Sequence, residues 1–287
     1  MGSLKEIRTR ISSVKSTRQI TSAMKMVSAA KLRKAQDTVT GFRPYSQKLT
    51  HILENLSGSD SSQIKFAQKR DIKNVLIIIV SSNKGLCGAF NTNVGKVAIS
   101  LANEKYPNAK VSFASIGKKA REYTIYKGYN VISNYDYVFD KLTFENVIPV
   151  AQEFMNLFLN SKFDKIEIVY NSFKNAATQI ITTEQFLPVN TDTEKTIKKT
   201  QNDYIFEPSK DEILEHVIPL ALKTQIYKAI IDSFASEHGA RMTAMHKATD
   251  NAGELLKELT LTYNKARQAS ITNEILEIVG GAEALKK

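Results

Sequence analysis

The residues best placed to do chemistry lie in Ser81–Asn91 (SSNKGLCGAFN), a glycine-containing loop directly after the apolar run Val75–Val80. In open α/β sheets such a loop is where phosphates are held. The phosphate-cradling patterns G-x-x-x-x-G-K-[ST] and G-x-G-x-x-G are both absent, however. Gly85 and Gly88 therefore read as serving a tight strand-to-helix turn. Cys87, the single cysteine, has no histidine close by in sequence and reads as a small, semi-buried thiol rather than a nucleophile. The histidines His51, His216, His238 and His246 form no H-E-x-x-H, and His238 and His246 are eight apart rather than four, so no shared metal is expected. There is no G-x-S-x-G. Glu274 and Glu277 could share a proton across one helical turn, but a solvated face or a contact with a basic partner is the better reading. The expectation is a chain with no catalytic, cofactor-binding or metal-binding residue of its own.

Composition narrows the class. The 287 residues carry 40 Lys plus Arg against 29 Asp plus Glu, a net charge of +11, with no Trp. An apolar fraction of 42% and a charged fraction of 24% exclude wholesale disorder. One cysteine excludes an intrachain disulfide framework. The longest apolar run, Val75–Val80, is far short of the roughly 18 residues that span a bilayer. Met1–Arg10 has a basic start without an apolar core, so no secretory signal is read. A soluble, intracellular, basic protein with an acidic partner is expected. The charge is concentrated: Met1–Gln36 holds nine basic residues against Glu6 alone, whereas Ser209–Lys287 holds ten basic against eleven acidic. A solvated helix face, a nucleic-acid footprint, an anionic membrane surface and an acidic protein partner all fit such a segment. Met1–Thr40 contains no Phe, Tyr or Trp to interleave with bases, which weakens the nucleic-acid reading.

The elements that must carry these residues separate by periodicity. Leu4, Ile7, Ile11 and Val14 open a stripe that slips near Thr17 and resumes at Ile20, Met24 and Val27, predicting a long amphipathic helix over Leu4–Leu56. Gly41 and Pro44 are expected to kink or interrupt it. Ser57–Gln63 reads as a polar linker. Val75–Val80 (VLIIIV) predicts a strand buried on both faces. Further strands are predicted at Val111–Ile116, Tyr129–Ser133, Lys165–Tyr170 and Thr178–Leu187, with a helix through Phe144–Phe158 capped by Thr143. This alternation predicts a small α/β domain with a largely parallel sheet. Thr191–Asp203 reads as a loop. Asp211–Leu285 is one helical pattern interrupted at Pro219.

Leu220–Leu285 as a single helix would extend about 100 Å, more than a core of this size can bury, and Leu4–Leu56 would extend about 80 Å. The two are expected to pair as an antiparallel coiled coil with the α/β domain inserted between them. The domain limits are then 1–56, 57–208 and 209–287. Ile271, Ile275, Leu276, Ile278, Val279 and Leu285 place apolar residues on several faces of the last turns, so this tip is expected to enter a partner's sleeve.

The N-terminal stretch LKEIRTRISSVKSTRQITSAMKMVSAAKLRKAQ and the C-terminal stretch ARMTAMHKATDNAGELLKELTLTYNKARQASITNEILEIVGGA resemble the gamma subunits of F-type ATP synthases. SSNKGLCGAFN and DYIFEP (Asp203–Pro208) resemble that family's first-strand turn and the segment before its last helix. The resemblance covers the whole chain and is strongest at both ends. It implies a non-catalytic central rotor shaft without cofactors, turning inside three alpha and three beta subunits. It also implies a Rossmann-like α/β foot that meets the epsilon subunit and the c-subunit ring, with membrane association through partners alone. The implied place is the cytoplasmic face of a bacterial inner membrane, since a family helix starting at Leu4 leaves no transit peptide. By motif, the resemblance places Met24 against the beta subunit's acidic loop. It places Arg267, Gln268, Thr272 and Glu274 at the beta subunits' catch region, and Tyr204 and Glu207 at the epsilon and c contacts. The chain departs from the family's pattern at Asn83-Lys84, Ala89, His238-Gly239 and Asn273. Gly239 would cost a helix about 1 kcal/mol relative to Ala. The cysteine-bearing regulatory insertion of chloroplast relatives is absent, so thiol control of that kind is not expected.

Overall fold

A computed structural model describes residues 4–56, 65–189 and 210–284. The chain forms two compact units, Ala29–Arg241 and Met1–Ser28 with Met242–Lys287. Its elements are α1 (Leu4–Leu56), β1 (Asn74–Val80), α2 (Phe90–Lys105), β2 (Lys110–Ile116), α3 (Lys118–Tyr126) and β3 (Val131–Asn134). A short 3₁₀ turn (Asp136–Phe139) leads to α4 (Phe144–Leu159), β4 (Lys165–Phe173), β5 (Gln179–Leu187) and α5 (Lys210–Ala284). The predicted linker Ser57–Gln63 and loop Thr191–Asp203 lie outside the described residues.

The sheet has the order β3-β2-β1-β4-β5, parallel throughout except for β5, which pairs antiparallel with β4. Residues 75–80 of β1 are fully buried because successive side chains enter different layers. Leu76, Ile78 and Val80 join Ile166, Ile168, Tyr170 and the α4 face of Val147, Ala151, Phe154 and Phe158; Leu222, Ile226 and Ile230 of α5 and Ala35 and Val39 of α1 close this layer. Val75, Ile77 and Ile79 instead meet Phe113, Val169, and Val94, Ala98 and Ala102 of α2. One carboxylate enters the second layer: Glu167 is buried and accepts from Tyr106 and from Lys105 Nζ at 2.6 Å.

Packing overrides several local signals. α1 continues through Pro44 and α5 through Pro219, so neither proline interrupts its helix. Each removes one backbone donor, but buried neighbours hold both sides: Val39, Ser46 and Leu49 in α1, Leu214, Ile218 and Leu222 in α5. β3 begins at Val131 rather than Tyr129, because Gly128, at φ +83°, and Tyr129 donate back to Ile125 and Thr124 to close α3. Thr143 occupies the N-cap position of α4 in an extended conformation but makes no capping hydrogen bond.

Within Ala29–Arg241, α1 and α5 run antiparallel: Phe42 meets Tyr227 edge-on with centroids 4.9 Å apart, while Lys31 acts on Glu237 and His238. Within the other unit the direction is the same. The Thr21 and Thr249 hydroxyls are 2.8 Å apart, and Arg18 faces Gly253.

Phe154→Ala should cost about 3–5 kcal/mol in urea unfolding, since its ring is fully buried between sheet and helices. Tyr126→Ala, on a ring 83% exposed, should stay within about 0.5 kcal/mol.

Candidate functional site

In an open α/β sheet, ligands bind outside the carboxyl ends of the strands, where the strand order reverses. Here the reversal lies at β1, which feeds β2 on one side and pairs with β4 on the other. The loop Ser81–Ala89 leaves β1 at that end, and the Asn175–Thr178 turn leaves β4 at the same end. Two positive-φ residues shape the first loop, Gly88 at +60° and Leu86 at +63°; Gly85, expected to share that role, has no positive φ. The loop is also tied to α2 and to the 3₁₀ turn. Ser82 N donates to Asn91 Oδ1 at 3.0 Å, and Asn83 Nδ2 donates to Asp136 O at 2.9 Å.

The place a ligand would take is filled by the chain itself. Arg241 of α5 is buried and donates from Nη2 to Lys84 O at 3.0 Å and from Nε to Gly85 O at 3.3 Å. Its Nη2 pairs with Glu237 Oε1 at 2.7 Å, and its Nη1 lies 3.3 Å from His238 Nδ1. Arginine has only donors, so Nδ1 must accept and the neutral ring carries its proton on Nε2. Arg241 thus occupies the Lys84 and Gly85 carbonyls of the loop, while the buried His238 Nε2 meets no hydrogen-bond partner.

Burial governs the titrating groups. It pushes His238 down to about 4, with Arg241 and then Lys31 adding to the shift. It pushes the Glu237 carboxyl up, against the opposing pull of Arg241. It also raises the Cys87 thiol, again against Arg241. A buried thiol with a raised pKa is a poor nucleophile, as the sequence suggested. No group of His, Cys, Asp and Glu among the described residues could hold a metal ion.

Met24 is half-buried on α1. Arg267, Gln268, Thr272 and Glu274 are all exposed within about two turns of α5, where Thr272 donates to Gln268 O at 2.9 Å and Ser270 to Glu274 at 3.3 Å. Tyr204 and Glu207 lie outside the described residues. Lys5, Arg8, Arg10, Lys15, Arg18, Lys31, Arg33 and Lys34 are exposed along α1, with Lys25 half-buried. Ile271, Ile275, Leu276, Ile278 and Val279 are likewise exposed, Ile278 at 71%, while Leu285 is outside the described residues. Sequence reasoning missed the Arg241 cluster, whose loop carbonyls are 156 and 157 residues away. The one local sign is that His238 and Arg241 share the 3/4 spacing of the apolar residues Ile231, Phe234 and Met245.

Known proteins match this arrangement over its full length. Residues 3–285 match the family model described as ATP synthase. The ATP synthase gamma chain of Flavobacterium psychrophilum is 59% identical over 288 aligned residues, covering 100% of both chains. That of Christiangramia forsetii is 58% identical, covering 99% of each. Among solved structures, a rotor chain of the Euglena gracilis mitochondrial ATP synthase superposes with a TM-score of 0.69 at 23% identity, covering 93% of this chain and 98% of that one.

His238 sets a pH dependence. Its folded pKa, about 4, lies below the ordinary 6.5, so folding favours the neutral ring. Stability from this group is full above about pH 6.5 and is lost as pH falls toward about 4, by about 3 kcal/mol in all. Urea unfolding across that range should show the loss. His238→Gln, which keeps an acceptor for Arg241, should flatten it.

Proposed function

We propose how this chain, which belongs to the ATP synthase gamma-chain family, does its work. It is the central rotor shaft of an F-type ATP synthase, a non-catalytic subunit that couples ion flow through the membrane sector to ATP synthesis or hydrolysis in the alpha/beta head. Its partners are the alpha and beta subunits, the epsilon subunit and the c-subunit ring. A solved relative, at 24% identity and a TM-score of 0.68, is described as part of an assembly with the F1 head and c-ring. The nucleic-acid reading of the basic helix finds no support among the relatives. No helix among the described residues is long and apolar enough to cross a membrane, in keeping with a peripheral subunit held there by its partners. The finer placement, the cytoplasmic face of a bacterial inner membrane, is part of the proposal.

The observation that carries the mechanism is the contrast along α5. Up to Arg241 its residues are mostly buried against the α/β domain; from Ile271 to Ala282 every one is exposed, apolar residues included. An apolar tip that its own chain leaves bare fits a sleeve formed by a partner. In this reading Met24 faces the beta subunit's acidic loop, and Arg267, Gln268, Thr272 and Glu274 meet the beta subunits' catch region. Tyr204 and Glu207 meet the epsilon subunit and the c-ring, and the segments 1–56 and 209–287 act as the helical shaft around a foot of 57–208. Each orientation of an asymmetric shaft favours a different beta conformation, so nucleotide binding and shaft angle bias one another. The exposed lysines and arginines of α1 supply contacts worth roughly 0–1 kcal/mol each. Weak, replaceable contacts let the surface pass from one beta subunit to the next.

Neutralising Lys15, Arg18, Lys25 and Arg33 together should lower rotational torque and ATP-driven ion pumping in the assembled complex, while each single change has little effect. Unchanged torque and pumping in the quadruple variant would remove the electrostatic part of the mechanism. A chain that fails to co-purify with alpha and beta subunits would remove the rotor assignment itself.

A further inference from the structure

Gly239 is an unfavourable residue for a helix interior, yet it sits in the middle of α5. The structure supplies the reason. A Cβ at Gly239 would stand 2.9 Å from Ala176 O and 3.2 Å from Ala176 Cα, backbone atoms of the turn between β4 and β5. That turn is poorly able to yield. Asn175 Oδ1 accepts from Ala177 N at 3.0 Å and Thr178 N at 2.7 Å, and Gln179 Nε2 donates to Ala176 O at 3.2 Å. The same face of α5 meets β4 and β5 from Lys228 to Ser236. Lys228 Nζ meets Glu184 at 3.1 Å, Ser172 Oγ donates to Asp232 at 3.5 Å and Ser236 Oγ donates to Asn171 O at 3.1 Å. Two residues beyond Gly239, Arg241 takes the carbonyls of Lys84 and Gly85. One helical turn, Glu237–Arg241, therefore holds both loops that leave the carboxyl end of the sheet.

We propose that this turn is the joint that makes the α/β domain move as one body with α5, and that Gly239 is its positioning residue, admitting the β4–β5 turn to backbone contact. This rests on the rotor reading. A domain that follows the helix without slack passes torque; one that can rock about it absorbs part of each step.

The test is Gly239→Ala in the assembled synthase in inverted membrane vesicles, with Asn175→Ala as a second route that loosens the turn and leaves α5 unaltered. Alanine is the better helix former, so a purely helical role predicts a tighter structure. The joint predicts the opposite: amide exchange at 174–178 faster by about tenfold, and fewer ions pumped per ATP hydrolysed, in both variants. Exchange and pumping must change together. Unchanged exchange, or faster exchange with unchanged pumping, overturns the joint. Failure of the rotor reading is distinct, because the wild-type chain would then not co-purify with alpha and beta subunits.

Discussion

A guanidinium can be buried only where its donors are met, and the environment of Arg241 is built around that requirement. The carbonyls of Lys84 and Gly85, the Glu237 carboxylate and the neutral His238 ring are its acceptors. Each of these constrains something else. The carbonyls are presented by a loop with positive φ at Leu86 and Gly88, Glu237 must stay ionised against its own desolvation, and His238 must stay neutral. Removing the arginine would leave the buried Glu237 carboxylate without its ion pair and the Gly85 carbonyl without its donor, while Lys84 O would keep Ser82 Oγ at 2.6 Å; the loss is costlier than the interaction is worth in isolation.

The same contact decides what the α/β domain is for. An open parallel sheet with a loop after its first strand has the outline of a nucleotide-binding fold, but fold alone does not confer that activity. In this chain the strand-order reversal is covered by α5, and the loop's inward carbonyls are engaged by its arginine. The element that fills the crevice is the element that continues to Ala284, so the domain uses its binding edge to hold a helix.

Much of the fold could be read directly from residue patterns. VLIIIV needed no context to be a strand buried on both faces, and the apolar face of Phe144–Phe158 announced α4. What was not legible depended on distant packing. Pro44 and Pro219 are local breakers overruled by buried neighbours on both sides. Gly239 looked like a defect until the β4–β5 turn was seen against it. The contact residues differ again. For Met24, Arg267, Gln268, Thr272 and Glu274 a contact role rests on resemblance to a family alone, since no single chain shows which exposed side chains a partner will cover.

The two long helices illustrate how burial divides one element between two roles. In Ala29–Arg241 they close the apolar layer that holds Leu76, Ile78 and Val80, and α5 there is rich in large buried residues such as Leu222, Ile226, Tyr227 and Ile230. In the other unit the buried positions are smaller or polar: Thr21, Ser28 and Ala252, with Met245 the large exception. Small side chains let two helices approach closely but bury little apolar area, so this pair gains less from its own seam than the domain gains from its core. A helix pair of that kind leaves most of its surface, basic on α1 and apolar at the end of α5, exposed on this chain.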